Sequence, residues 1–237
     1  MEGHDGLVAV DAGGNDIVWC KLDGRFAERL RDLRHRRSCG TAYRGPRLAA
    51  PHWRDRVKLQ DWNTVASLHE QSFRRGFDIL AQFGPVARTS YFNVVVMKVG
   101  DKDAFLERLA ELVADVPDVL KIISRVVPLA HTVDFEDATD FENKARTIAL
   151  GWLPQLAHKG FHVRLHRRGL RGQLSSKEEE QHLDAALRDA LAAAGTPGRI
   201  EFEDPDLVID VETLGNRAGL SIWTREDLRR YPFLRVD

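Results

Sequence analysis

The 237-residue sequence predicts an α/β (α+β) protein, and three observations lead there. Strand-like and helix-like segments alternate from residue 59 to the end, switching between a period of 2 and a period near 3.6. Hydrophobic residues make up 43% of the chain, enough for a sizeable core, yet the apolar runs are as short as Asn93-Val-Val-Val-Met97. There are only two cysteines, Cys20 and Cys39, too few for a disulfide framework or a cysteine-built zinc site.

No run approaches the ~20 apolar residues of a membrane-spanning helix. The N-terminus lacks the basic segment, apolar stretch and cleavage site of a signal peptide, so a cytoplasmic protein is expected. The net charge of −1 argues neither for nor against nucleic acid, but its distribution is uneven. Residues 1–56 hold 11 Lys and Arg against 8 Asp and Glu, and the remaining residues hold 24 against 28.

Residues 1–56 read as an N-terminal extension. Gly6–Leu22 has strand character, and an arginine-rich segment over 25–37 leads into a stretch of turn formers without sustained periodicity, expected to be poorly ordered. Residues 57–130 read as strand (Trp62–His69), helix (Ser72–Phe83), two strands (Val86–Thr89 and Phe92–Lys98), helix (Asp101–Ala114) and strand (Ile122–Leu129). The stripe Phe105, Leu106, Leu109, Leu112, Val113 marks the second helix. This βαββαβ order is the ferredoxin-like pattern. Residues 131–237 begin with a helix entered through Thr139-x-x-Glu142 and bent or broken at Pro154. A strand (Phe161–Arg168), a helix entered through Ser176-x-x-Glu179 and closed by Gly195, two strands (Leu207–Thr213 and Leu220–Trp223) around Gly215–Gly219, and a short helix capped by Thr224-x-x-Asp227 follow.

The most informative segment is His158–Lys177, with six Lys and Arg, three His and no acidic residue. Side chains alternate faces along a strand, so Phe161, Val163 and Leu165 point to a core while His162, Arg164, His166 and Arg168 form a ladder on the other face. Its rungs are about 6.6–6.8 Å apart, a scale close to the repeat of phosphates along a nucleic-acid strand. Arginine forks match phosphate oxygens. The ladder opens into Gly169-Leu-Arg171-Gly172 and a helix N-terminus carrying Lys177, where exposed N–H groups favour an anion. The opposing reading is a solvated charged face, partly neutralised by Glu178, Glu179 and Glu180. The three histidines at 158, 162 and 166 would not converge on a strand, so no metal site is expected.

Asp210 and Glu212 share one face of their strand. They suit acid/base chemistry or pairing with the neighbouring basic ladder, and pairing is favoured because no nucleophile accompanies them. Trp62, Trp152 and Trp223 sit in apolar patterns and read as core. Tyr91 stands near a hairpin tip, where it would be able to stack on a base.

Three segments, Phe161-His-Val-Arg-Leu-His-Arg-Arg-Gly169, Ser175-Ser-Lys-Glu178 and Asp204-Pro-Asp-Leu-Val-Ile-Asp-Val-Glu212, together resemble a THUMP domain. The flanking Ser124-Arg-Val-Val-Pro128 and Asp140-Phe-Glu-x-Lys-Ala-Arg146 fit the same pattern. The resemblance covers about residues 60–237 and is strongest to the THUMP tRNA-binding adaptors of cytidine acetylation. It implies a ferredoxin-like domain (57–130) followed by a THUMP domain (131–237) that binds tRNA or another structured RNA. Carried over by position, it implies RNA contacts from Arg164, Arg167, Arg168 and Lys177, with Arg125 and Lys144 as flanking candidates. His162, His166 and Arg171 join them from the ladder and loop.

Fourteen residues follow Trp223, and no nucleophile–base cluster is visible. The expectation is therefore a non-catalytic RNA-binding protein, without cofactor, metal or membrane contact, presenting tRNA to a separate modification enzyme. A protein-interaction module and an RNA-processing enzyme with an unrecognised active site are the alternatives.

Overall fold

The computed structural model describes residues 61–236 and, before them, two strands, β1 (Leu7–Val10) and β2 (Asp16–Trp19), paired antiparallel. These strands fall in the segment with expected strand character. The arginine-rich segment and the expected disorder up to residue 56 lie outside the described residues.

Next in the chain comes a four-stranded antiparallel sheet, the first of the two large sheets. Strand β3 (Thr64–Leu68) leads to helix α1 (Phe73–Leu80), then to β4 (Val86–Arg88), β5 (Val94–Met97), α2 (Lys102–Asp115), a 3-10 turn (Pro117–Lys121) and β6 (Ile123–Pro128). The spatial order is β4-β5-β3-β6. Helix α2 starts where the Asp101 carboxylate accepts the Ala104 N–H at 2.9 Å, and its five-residue apolar stripe is buried. Val94, Val95, Val96 and Met97 are all buried, so both faces of β5 are covered.

The second sheet has the order β7-β11-β10-β8-β9. It is built from β7 (His131–Asp134), β8 (Gly160–Arg168), β9 (Arg199–Ile200), β10 (Leu207–Leu214) and β11 (Arg217–Thr224). Helices α3 (Ala138–Leu150), α4 (Leu153–Leu156) and α5 (Ser176–Ala193) accompany it, and α6 (Arg225–Arg230) follows it. β8 and β10 run parallel in continuous register from Phe161↔Leu207 to Arg168↔Leu214, with α5 in the crossover. The short strands β7 and β9 carry no readable sequence pattern. The second hairpin turns at Gly215-Asn216, tighter than the five-residue turn expected, since Leu214 already pairs with Arg217.

Two helix starts differ from the sequence reading. α3 is capped by Asp137, whose carboxylate accepts the Asp140 N–H at 2.9 Å, which leaves Thr139 inside the helix. α5 is capped by Ser175, not Ser176, so Glu178 occupies the third helical position and Glu179 turns inward. The Thr224/Asp227 capping box is present as expected. α3 ends at Leu150, before the Pro154 that lies in the first turn of α4.

Each face of the five-stranded sheet has its own core. Phe161, Val163, Leu165, Ile209 and Val211 pack with Phe141, Ala145, Leu183 and Leu187 of α3 and α5. Val208 and Trp223 pack on the opposite face with the first sheet and with Tyr231, Phe233, Leu234 and Val236 of the C-terminal segment. Trp62 and Trp152 are also buried. The passage from β6 to β7 is pinned where the Ser221 hydroxyl donates to the Pro128 carbonyl and accepts the Ala130 N–H, both at 2.8 Å. Gly219 lets Leu129 pack closely at this crossing, since a Cβ there would lie 2.3 Å from Leu129 Cδ1 and force that side chain to shift. Among the described residues no helix is long and apolar enough to cross a membrane.

Beyond its short pairing with β9, the outer edge of β8 is satisfied by side chains of α5. Val163 N–H donates to Asp184 Oδ1 at 2.9 Å and Leu165 N–H to Glu180 Oε1 at 2.8 Å. Burial pushes the Asp184 carboxyl up to about 7. A carboxyl raised above its unfolded value supports folding fully at low pH, and that contribution is lost as pH rises through about 7. Asp184→Asn keeps the acceptor and cannot ionise, so its stability relative to wild type should improve between about pH 5 and about pH 8. Asp184→Ala leaves the Val163 N–H unpaired and should cost ~1–3 kcal/mol. Urea denaturation at both pH values checks the pair.

Candidate nucleic-acid interface

Only part of the basic ladder on β8 reaches solvent. The alternation of faces holds, and Phe161, Val163 and Leu165 enter the helix-side core. The opposite face, however, is largely covered, by the first sheet and the C-terminal segment toward Arg168 and by the segment after β9 at His162. His162 is buried, with Nδ1 2.7 Å from the Glu201 carbonyl and its ring 5.2 Å from that of Phe202. His166 is held at about 4 by burial and next by the Arg125 charge, so its ring is neutral at pH 7. Arg168 pairs with Glu212 and donates to Ser67 Oγ at 3.1 Å. Arg164 is half-buried, 4.0 Å from Glu180.

Arg125 is the strongest departure from expectation. It is 6% exposed and lies between the two sheets. Its guanidinium pairs with Asp210 at 2.5 Å and with Glu212, and Nε donates to the Arg235 carbonyl. Burial lowers the Arg125 pKa, but Asp210 and Glu212 outweigh it and the net direction is upward. Burial raises the Asp210 pKa against the pull of Arg125. Two carboxylates thus face two guanidiniums, Arg125 and Arg168, balanced in formal charge. Asp210 and Glu212 are a pairing site, as favoured from sequence. Ligand atoms of His166, Asp210 and Glu212 lie within 4.8 Å of one another, a spacing that suits a metal, but the guanidiniums already answer both carboxylates. Lys144 is likewise engaged, 2.7 Å from Asp140 and 2.9 Å from the Asp134 carbonyl.

The cations left for a polyanion sit beyond the end of β8. Arg171 and Lys177 are exposed. Arg167 is half-buried and turns back to donate to the Gly169 carbonyl. The loop between them is built rather than loose. Gly169, Leu170 and Gly172 have φ of +96°, +52° and +79°, and the Gln173 and Leu174 N–H groups both donate to the Leu170 carbonyl. Buried Leu174 anchors the loop, which leaves Arg171, Gly172 and Gln173 on the surface. Of the three glutamates expected to neutralise this region, Glu180 serves β8 and Glu179 is buried, so Glu178 alone is exposed.

A neighbour not assembled from sequence completes this surface. The β4–β5 connection lies against the loop, and a Cβ at Gly169 would meet the Tyr91 hydroxyl at 2.6 Å and Gly215 Cα at 3.1 Å. Gly169 is therefore fixed both by its φ and by close approach. Phe92, next in the chain, is 79% exposed. The sequence placed Tyr91 at a hairpin tip, but only the packing of the two sheets puts it beside the basic loop.

Arg125→Met should cost ~3–5 kcal/mol, because it strands the buried Asp210 carboxylate and leaves Glu212 to Arg168 alone. Adding Asp210→Leu leaves Arg168 and Glu212 balanced and should recover most of the loss by chemical denaturation. The His166 pKa is depressed, so the stability tied to its neutral form is present above about 6.5 and lost as pH falls through about 4. His166→Gln should flatten that acid limb in a pH series of thermal melts.

No protein-family model matches the sequence, and no curated protein matches it. Solved structures do. TrmN from Thermus thermophilus is similar at 20% identity and a TM-score of 0.46, covering 67% of this chain and 44% of its own. A 4-thiouridine synthetase in complex with RNA and ATP is similar at 12% identity and a TM-score of 0.43, covering 68% and 41%. A predicted N6-adenine-specific DNA methylase from Listeria monocytogenes is similar at 15% identity and a TM-score of 0.41, covering 68% and 40%. The chain spans less than half the length of these three structures. A synthetase and a methylase are enzymes, and with them the expectation of a non-catalytic adaptor delivering RNA to a separate enzyme is corrected.

Proposed function

We propose that the chain is the RNA-holding part of an RNA-modification enzyme, with residues 57–130 as a ferredoxin-like domain and 131–237 as a THUMP domain. The observation that carries this reading is the ordered loop at the end of β8. It presents exposed Arg171 and, at the start of α5, exposed Lys177, and it packs against the hairpin that carries Tyr91 and Phe92. Such a surface offers phosphate oxygens two exposed cations and the first N–H groups of an 18-residue helix. Arg164 and Arg167, both half-buried, flank it. The likeness of β8, its loop and β10 to THUMP segments supports tRNA as the RNA. The strand order β4-β5-β3-β6 supports the ferredoxin-like reading of the first unit.

The RNA-facing set is narrower than the nine residues the sequence offers. Arg171 and Lys177 make the main phosphate contacts, and Arg164 and Arg167 assist. Arg125, His162 and His166 serve the fold, and Arg168 and Lys144 hold ion pairs. In this reading the chain holds the RNA substrate of the modification reaction.

Binding to bulk tRNA, followed by gel shift at about 50 and about 200 mM salt, should weaken with salt, because phosphate contacts release counterions. Arg171→Glu and Lys177→Glu should each weaken binding and lower the salt slope by about 1. Retention independent of salt, or variants that bind like wild type, would contradict the proposal.

A further inference from the structure

The charge balance that satisfies Asp210, Glu212 and Asp184 fails at one buried carboxylate. Glu179, on the first turns of α5, is 5% exposed, and its Oε2 is buried without a hydrogen-bond partner among the described residues. An isolated buried carboxylate is among the costliest groups a fold can hold. The other three answer to N–H groups or guanidiniums, whereas Glu179 faces a second carboxylate, Glu142 of α3.

These two carboxylates line a cleft of about 250 Å³ between α3 and α5, together with His182 and Arg146. Glu179 and His182 stand three residues apart on α5, the spacing that puts two donors on one helix face. Glu142 approaches from the facing helix, with Oε1 4.0 Å from His182 Nδ1. One ligand atom from each of the three residues lies within 4.8 Å of the others. Tetrahedral zinc, bound at ~2.0–2.2 Å, holds its ligand atoms about 3.4 Å apart. The Glu142 and His182 side chains are 41% and 68% exposed, free to close the remaining distance by rotation, whereas Glu179 is fixed by burial.

We infer that Glu142, Glu179 and His182 form a binding site for a divalent transition ion of the zinc class, with a water at the open position. One imidazole and two carboxylates suit Zn2+ far better than Mg2+, which keeps most of its waters and takes oxygen ligands. The ion would neutralise the Glu179 carboxylate and tie α3 to the start of α5. The inference is independent of the RNA reading, since none of the three residues belongs to the proposed RNA surface.

The test is calorimetric titration of the full chain with ZnCl2, paired with thermal denaturation. Wild type should bind one Zn2+ in a site that Glu179→Gln and His182→Ala each abolish and Glu142→Gln weakens by at least tenfold. At a hundredfold excess over Kd the melting temperature of wild type should rise by about 5–10 °C, and that of Glu179→Gln should not. Zinc binding that survives all three substitutions would place the ion on other histidines and overturn the inference. So would the absence of saturable binding, and a loss of stability in Arg146→Ala would then make Arg146 the counter-charge of Glu179.

Discussion

The Arg125 guanidinium, buried between two sheets and facing Asp210 and Glu212, is the constraint around which the rest of the structure is arranged. A buried guanidinium is tolerated only where its charge is matched and its donors are used. Here Nη1 and Nη2 take carboxylates from β10, and Nε takes a main-chain carbonyl of the C-terminal segment. One side chain of the first sheet is thereby joined to the second sheet and to the tail. A hydrophobic contact at the same place would hold the sheets together without fixing their register. The paired charges add direction, because each donor has one acceptor within reach.

This arrangement decides which cations remain for a ligand. β8 was the natural phosphate strand on sequence grounds, but its polar face lies where the sheets meet. Arg168 answers the second oxygen of Glu212, and His166 is kept neutral beside Arg125. Positive charge on the surface is displaced along the chain to the loop after β8 and the first turn of α5. That helix serves three neighbours at once through its periodicity. Its N-terminus presents Lys177, its Glu180 and Asp184 close the free edge of β8, and Glu179 with His182 faces α3. The loop, the sheet edge and the cleft are thus joined by one helix.

Much of the fold was legible because it is written in period and punctuation. The α2 stripe, the βαββαβ alternation, the Thr224 capping box and the pairing role of Asp210 and Glu212 all follow from local pattern. The short strands β7 and β9 were not legible, being four and two residues long and held by neighbours rather than by propensity. The helix starts slipped by one or two residues because Asp137 and Ser175 compete with nearby capping residues of equal quality. For the candidate site, alternation along β8 gave the correct faces but not what covers them. Burial of Arg125 comes from the packing of one sheet on another, and that of His162 from the segment after β9, relations between residues some 40 to 110 positions apart in the sequence. The proximity of Tyr91 to Gly169 has the same non-local origin.

The main phosphate contacts are assigned to the loop after β8 and the start of α5, with Arg164 and Arg167 of β8 only assisting. Hydrogen exchange of the full chain, with and without saturating tRNA, tests this most directly. New protection of the amides of residues 169–178, with those of 161–166 unchanged, is the predicted result. Protection confined to other segments, or none under conditions where tRNA is bound, would contradict it.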